Sequence, residues 1–403
     1  MVSEKGYWED GTVFEFEANI TEVVASSGGL VVRLDRTYFY PESGGQLGDS
    51  GTVAGVEVVT AQQDDLGPYV VLPAGTLLQA GQHVMCTVDS ERRGRHTQLH
   101  SAQHILSRIL DNQGIATLSF HMSEQDASIE TSMPGATERF VLETEDAVEW
   151  EIWKCLPVET VFVSPDDLGK YDVRKVPELR GGPLRLVRIG DLDTNPCGGT
   201  HVRSTGEIGG FAITHTDKVR GNVRLYFVAG RTETAYRRQE RGVLDALEGK
   251  LTCGLEDLSS AVDKLQRGSH VLTRHVESLS SLVADSLRQH LLQLATANGV
   301  GVAVLDWVPT ELAHAVIGGV SSAEQVLCVV VYPEGGSDGH FVCHVPAQPT
   351  GAAGLVGTLM REQFGAKCGG SGSVIQGRLN RRIAVEDISR VLQAAVSRPG
   401  ATP

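Results

Sequence analysis

The sequence predicts an α+β protein made of a small N-terminal β-barrel, a mixed α+β region, a helical arm and a compact C-terminal α/β domain. Three observations carry this expectation. Alternating apolar stretches separated by Gly, Pro and Asp turns fill residues 11 to about 92. Helix-like and strand-like periods then mix as far as about residue 230. A helical run follows, and beyond it strand and helix patterns alternate to the end of the chain. At 403 residues there is material for two or three domains. The pattern changes divide the chain at 1–92, 93–245, 246–299 and 300–403.

Element by element, the barrel strands are expected at Val13–Val24, Leu30–Leu34, Val53–Thr60, Tyr69–Leu72 and His83–Val88. Residues from about 232 to 298 read as helical. Within them Leu258, Val262, Leu265, Leu272, Val276, Leu279 and Val283 keep 3–4 spacing over about four heptads, interrupted only by Ser269. That is the pattern of a coiled-coil arm, for dimerisation or for an extra binding contact, or of a hairpin that folds back within the chain. Gly299 is placed to cap it. The C-terminal strands are expected at Val302–Leu305, Val326–Tyr332 and His340–Val345, with helices near 351–364 and 384–397. The segment Gly365-Ala-Lys-Cys-Gly-Gly-Ser-Gly-Ser lacks the spacing of a Walker phosphate loop and reads as a flexible turn.

Composition narrows the functional classes. Hydrophobic content of 41% and charged content of 21% are ordinary for a soluble protein. Seven scattered cysteines with no CxxC fit reduced thiols in an intracellular setting. The acidic start, Met-Val-Ser-Glu-Lys-Gly, has no apolar core for a signal, and no apolar run reaches membrane-spanning length. A cytoplasmic protein with no membrane partner is expected. A net charge of −15 argues against DNA and against general nucleic-acid affinity. Cations nevertheless gather near two motifs: Arg92, Arg93 and Arg95; Lys170, Arg174, Lys175, Arg180, Arg185 and Arg188; Lys218, Arg220 and Arg224. They read as solvated charge or as a phosphate-facing rim.

Those motifs are His100-Ser-Ala-Gln-His104 and Cys197-Gly-Gly-Thr-His201. In a helix, residues four apart share a face, so two imidazoles can point at one ion. Gly198 and Gly199 let the second segment curl until Cys197 and His201 converge. Three imidazoles and one thiolate make a zinc donor set. His96 extends the ladder upstream and creates rival pairs, 96/100 and 100/104. His96 and His104 themselves would lie ~12 Å apart along a helix, too far to share one ion. The deeper position of 100/104, beside Ile105, Leu106, Ile109 and Leu110, favours that pair.

Three segments resemble a known family. They are Leu34-Asp-Arg-Thr-Tyr-Phe-Tyr-Pro-Glu-Ser-Gly-Gly-Gln46, Arg92-Arg-Gly-Arg-His-Thr-Gln-Leu-His-Ser-Ala-Gln-His104, and Asn195-Pro-Cys-Gly-Gly-Thr-His201. Together they resemble the editing domain of alanyl-tRNA synthetase and its free-standing relatives, the AlaX-type editing proteins of the long form. The similarity spans roughly residues 8 to 245, and the rest looks like the arm and DHHA1-type domain of those longer forms. The resemblance assigns zinc to His100, His104, Cys197 and His201. It implies hydrolysis of serine, in some members glycine, from mischarged tRNA(Ala). It leaves His96 as a helix-face histidine near phosphate. The chain opens directly at the barrel, so removal of amino acids and not their attachment is expected.

Zinc in such a site would acidify water towards a pKa of ~7. Four protein ligands ordinarily mark a closed structural site, so Cys197 must yield, or coordination must expand, or the metal must orient the substrate amine only. Thr37 is the expected contact to the serine hydroxyl, and Gln46 the residue holding the carbonyl or the attacking water. Arg92, Arg93 and Lys218 are the expected substrate contacts. Asp191 or Asp193 is placed to support a ligand imidazole. Ile129-Glu130 departs from the family's Ile-Asp. Two other readings stand beside this one. Threonyl-tRNA synthetase editing domains share the ligand pattern, which admits Ser-tRNA(Thr) as substrate. A non-enzymatic zinc module that binds tRNA or protein would need no such pocket.

Overall fold

The computed structural model describes residues 3–174, 183–320, 324–333, 336, 338–348 and 351–397. The chain forms two compact units, Met1–Leu247 and Glu248–Pro403.

The first unit opens with strands β1 (Glu4–Lys5), β2 (Glu15–Ser26), β3 (Gly29–Leu34), β4 (Arg36–Thr37), β5 (Gly51–Val53), β6 (Val56–Glu57), β7 (Thr60–Asp64), β8 (Gly67–Leu72) and β9 (His83–Val88). Seven of them make an antiparallel sheet ordered β6-β5-β9-β2-β3-β8-β7. The two end strands do not pair with each other among the described residues, so the sheet is open in its hydrogen bonding. Strand β2 shows why it holds together. Phe16, Ala18 and Ile20 point inward while Glu15, Glu17 and Asn19 face water, the period of a half-buried strand. A bulge between Ile20 and Glu22 then lets the first half of β2 pair with β9 and the second half with β3.

Next come α1 (Ser90–Asp111), β10 (Thr117–Met122), β11 (Ala127–Thr131), α2 (Glu138–Trp153), β12 (Val158–Val163), β13 (Leu184–Ile189), β14 (Asp193–Pro196), β15 (Phe211–Val219), β16 (Asn222–Ala229) and α3 (Arg231–Leu251). A four-stranded sheet, β10-β11-β16-β15, packs with α1 and α2 around Leu99, Ile105, Leu106, Val148, Ile129 and Phe227. A three-stranded sheet, β12-β13-β14, stands beside it. Helix α1 starts where the Asp89 carboxylate accepts from the backbone N–H groups of Glu91 and Arg92. Its apolar side enters the core, yet His96, His100, Gln103, His104 and Ser107 are buried as well. The helix is enclosed almost all round.

The second unit holds α4 (Leu258–Asn298), β17 (Val300–Asp306), α5 (Thr310–Gly318), β18 (Val326–Tyr332), β19 (Gly339–His344), α6 (Ala352–Phe364), β20 (Lys367–Ser371), β21 (Val374–Leu379) and α7 (Val385–Val396). Its sheet runs β17-β18-β19-β21-β20, with β17 and β18 parallel. Strand β18 is buried on both faces. Leu327, Val329 and Val331 meet the end of α4 and α5, while Val326, Cys328 and Val330 meet α6 and α7.

Two expectations change here. The helical run expected from 232 to 298 breaks between Leu251 and Leu258, where Thr252 takes φ 53° and a short turn follows Gly254. The expected turn from Gly365 is mostly strand β20, because Gly370 admits a close approach of β21 that any Cβ would block. The seam of α4 stays uncovered up to residue 283, with Leu265 64%, Leu272 65% and Leu279 60% exposed. From Ala284 the apolar stripe shifts by one residue, and Ala284, Leu291 and Ala295 enter the core of the unit. Among the described residues no helix is long and apolar enough to cross a membrane.

Candidate metal centre

His100 and His104 sit one turn apart on α1, and the segment after β14 brings Cys197 and His201 to them. The four donor atoms lie within 4.8 Å of one another. Cys197 Sγ is 3.4 Å from His100 Nε2 and 3.3 Å from His201 Nε2. In tetrahedral zinc geometry, ordinary Zn–S and Zn–N bonds put such a pair about 3.6 Å apart. The donor set and its spacing therefore fit one zinc ion.

What lies behind the imidazoles strengthens the fit. Each histidine of the cluster engages the protein through Nδ1, which leaves Nε2 facing the other donors. His100 Nδ1 meets Gln46 Oε1 at 2.6 Å, His104 Nδ1 meets Asp193 Oδ2 at 3.2 Å, and His201 Nδ1 meets Ser101 Oγ at 3.2 Å. Such partners fix ring orientation and tautomer in metal sites. Asp193 is itself buried and held by Arg174 at 2.7 Å and Arg108 at 3.3 Å. Burial opposes its charge, but the bonds to His104 and Arg174 hold its carboxyl well below the usual range. Burial likewise resists charge on His104, and Asp193 and Cys197 overcome it, raising His104 to about 9. Burial pushes the Cys197 thiol up, yet His100 and His201 draw it well below its ordinary value.

The second half-site is pinned from outside. Arg185 donates to the carbonyls of Cys197 at 2.7 Å and Gly199 at 3.0 Å, and Trp8 Nε1 donates to the carbonyl of Gly198 at 3.0 Å. A Cβ on Gly199 would stand 2.2 Å from the His100 ring, so only glycine fits there. Beside the cluster opens a cavity of about 600 Å³, lined by Tyr40, Ser43, Gln103, Ser107, Phe120, Arg174 and Asn195 together with His100, His104 and Cys197.

Several expected site residues fall elsewhere. Gln46 is fully buried and does not line the cavity. Its Oε1 takes His100 Nδ1 and the Thr200 N–H, and its Nε2 donates to the Thr200 hydroxyl, so its amide is committed to His100 and Thr200. Thr37 is 4% exposed, accepts from the Phe39 N–H, and is absent from the cavity wall. Arg93 is 1% exposed and paired with buried Asp49, so it cannot meet a phosphate. His96 is buried as well and stands outside the cluster. Its ring nitrogens have no hydrogen-bond partner, and burial together with Arg92 and Arg95 presses it down to about 4. Of the expected cationic rim, Arg92, Lys170, Arg188 and Arg224 pair with Glu124, Asp167, Glu159 and Glu130. Lys218 is exposed on β15, and Lys175 and Arg180 lie outside the described residues. The Glu130 departure has a local partner, since Glu130 and Arg224 face each other across β11 and β16. Sequence reasoning did not assign the roles of Arg108, Arg185, Trp8 and Asn195: the first two and Asn195 stand near the motifs in the chain, while Trp8, 190 residues from the Gly198 it bonds, left no such signal.

Comparison with known proteins agrees with this architecture. Residues 184–226 match the family model described as threonyl and alanyl tRNA synthetase second additional domain. The alanyl-tRNA editing protein Aarsd1 of Rattus norvegicus is 31% identical over 378 residues, which cover 92% of this chain and 89% of that protein. Its counterpart in Danio rerio is 29% identical, covering 91% and 88%. The alanine–tRNA ligase of Caldivirga maquilingensis is 28% identical over 96% of this chain but only 44% of the ligase. The chain belongs to the alanyl-tRNA editing protein family. Among solved structures, the C-Ala domain of Aquifex aeolicus alanyl-tRNA synthetase covers 24% of this chain and 89% of that domain. Its TM-score of 0.20 and identity of 15% are too low to carry an argument.

Proposed function

We propose that this protein is a trans-editing aminoacyl-tRNA deacylase that hydrolyses the ester of Ser-tRNA(Ala), and in the same pocket that of Gly-tRNA(Ala). The observation that carries the reading is the four-donor cluster, each histidine anchored through Nδ1, at the edge of a cavity of about 600 Å³. Zinc, when bound by His100, His104, Cys197 and His201, supplies Lewis-acid polarisation of an ester carbonyl and acidification of water. The protein's own residues do the rest. Gln46 and Asp193 hold two imidazoles in the tautomer that presents Nε2. Arg185 and Trp8 keep the Cys197 segment in place. Tyr40, Phe120 and the α1 side chains Gln103 and Ser107 enclose the acyl group.

In this reading the N-terminal sheet is the family's small barrel, residues 93–245 form the editing domain, and residues 300–403 form a DHHA1-like domain behind the arm at 246–299. Lys218 and Arg92 serve the tRNA backbone, and the reaction takes place in the cytoplasm. The arm pairs with that of a second copy. Its heptad puts Val262, Val276 and Val283 at a and Leu258, Leu265, Leu272 and Leu279 at d, a choice that favours two parallel strands.

Release of serine from Ser-tRNA(Ala) is the test, with Ala-tRNA(Ala) and Ser-tRNA(Thr) alongside and a chelator-treated sample as control. Zinc-dependent loss of serine from tRNA(Ala) with alanine spared is expected. Preference for Ser-tRNA(Thr) would move the substrate assignment. No hydrolysis by folded, zinc-loaded protein would favour a binding module.

A further inference from the structure

Helix α2 buries Thr144, Val148 and Ile152 on one side. Leu142, Asp146, Glu149 and Trp153 recur at three- and four-residue spacing along the other side, with Trp150 beside them. Trp150 is 55% exposed and Trp153 72%, and their rings stack with centroids 5.1 Å apart at 20°. Tryptophan often anchors a partner, because a flat indole offers a large apolar face. The two rings flank a groove of about 720 Å³ that Asp146, Glu149, Gly206 and Gly209 also line. The charge around the groove decides what it can hold. Helix α2 carries Glu138, Glu143, Glu145, Asp146, Glu149 and Glu151 against Arg139 alone. Arg139 is bound to Glu143, Lys154 to Glu151, and the nearby Arg237 to Glu233. Asp146 and Glu149 form no ion pair among the described residues. Burial, with Glu149 and Asp146 close by, lifts the Glu145 carboxyl above its ordinary value, the mark of crowded negative charge.

We propose that this groove docks an extended, arginine-bearing segment of another protein, with a guanidinium over the Trp150–Trp153 pair and its N–H groups on Asp146 and Glu149. A planar guanidinium is the cation that both stacks on indole and pairs with carboxylates. The chain holds a weak version of the contact already, since Lys154 Nζ stands 5.9 Å from the Trp150 ring centroid. Bases of single-stranded RNA also stack on tryptophan, but they arrive with phosphates, which this carboxylate-rich helix repels. From Leu142 to Trp153 the stripe runs about 16 Å, the length of roughly five extended residues. Leu142, exposed at its far end, adds an apolar contact for a peptide side chain. The groove lies between α2 and the turn before β15, whereas the metal cluster stands on α1 and the segment after β14. Docking is therefore independent of the deacylase reading.

The test is fluorescence polarisation of a labelled Arg-Gly repeat peptide with the full chain, beside a Lys-Gly repeat of equal length and a labelled oligoadenylate. The arginine peptide should bind most tightly. Trp150→Ala combined with Trp153→Ala should weaken it at least ~10-fold. Asp146→Asn combined with Glu149→Gln should weaken it about five-fold or more and flatten its salt dependence. All four positions are exposed, and zinc content should match the parent in both variants. Equal affinity for the parent and both variants would assign the binding to general negative charge and overturn the proposal. So would a parent protein that does not bind the arginine peptide. Tighter binding of the oligoadenylate would give the groove to RNA and overturn it as well.

Discussion

Helices α1 and α4 invert the usual rule in opposite directions. Helix α1 encloses polar side chains, with His96, His100, Gln103, His104 and Ser107 all buried. Helix α4 exposes apolar ones, with Leu265, Leu272, Val276 and Leu279 each more than half accessible. Burying an imidazole is costly unless something else compensates, and exposing a row of leucines is costly unless something covers it. The first inversion gathers the four donors of the cluster inside the molecule, and the second leaves an apolar row on the surface, which is where the proposed site and the proposed dimer seam fall. Within α1 the contrast repeats on a smaller scale. Arg93 and His104 are both buried, and their partners tell them apart: Arg93 meets one carboxylate, while His104 meets a carboxylate on one side and three other possible metal donors on the other.

The largest expected effect separates those two roles. His104→Ala or Cys197→Ala should take bound zinc from about one per chain to near zero and lower Ser-tRNA(Ala) hydrolysis more than ~100-fold, read by metal analysis and single-turnover kinetics. Full activity in Cys197→Ala with zinc still bound would exclude an essential role for its thiolate. Arg93→Leu leaves the Asp49 carboxylate buried and unpaired, which costs ~3–5 kcal/mol. Urea denaturation should show that loss, with zinc content per folded molecule unchanged.

How much of this was legible in the sequence depends on what kind of signal each residue leaves. Spacing exposed the four donors that the fold gathers, because a helix and a glycine bend each impose a fixed separation on two of them. Alternation exposed β2, β3, β8, β9 and β18, whose apolar residues repeat at period two or run continuously. Burial leaves no such mark. Arg93 and Lys218 looked alike as cations near a motif, and only packing distinguishes a guanidinium sealed against Asp49 from an ammonium in water. The direction in which a side chain points was equally hidden. Gln46 was recognised as part of the site, but its turn towards His100 is set by contacts 54 residues apart in the chain. The break before α4 and the strand β20 were missed because local backbone geometry overrode a weak periodic pattern.

Smaller effects sharpen the contrast further. Gln46→Leu leaves His100 Nδ1 without its acceptor and should weaken zinc affinity ~10–100-fold in a chelator competition. An unchanged affinity would mean that Gln46 does not orient His100. On α4, Leu272→Glu should dissociate the proposed dimer in sedimentation while stability per folded chain shifts within ~0.5 kcal/mol, as at other exposed positions. A parent protein that sediments as a monomer at every concentration would remove the partner assigned to the seam. Smallest of all, Lys218→Ala should weaken tRNA binding and reduce its salt slope by about one phosphate contact.

X-ray absorption at the zinc edge on the purified, unmodified protein tests the central claim most directly. The account predicts one zinc per chain with a first shell of three nitrogens at about 2.0–2.1 Å and one sulfur at about 2.3 Å. A shell without sulfur, or protein that folds and binds no zinc when the metal is supplied, would contradict it.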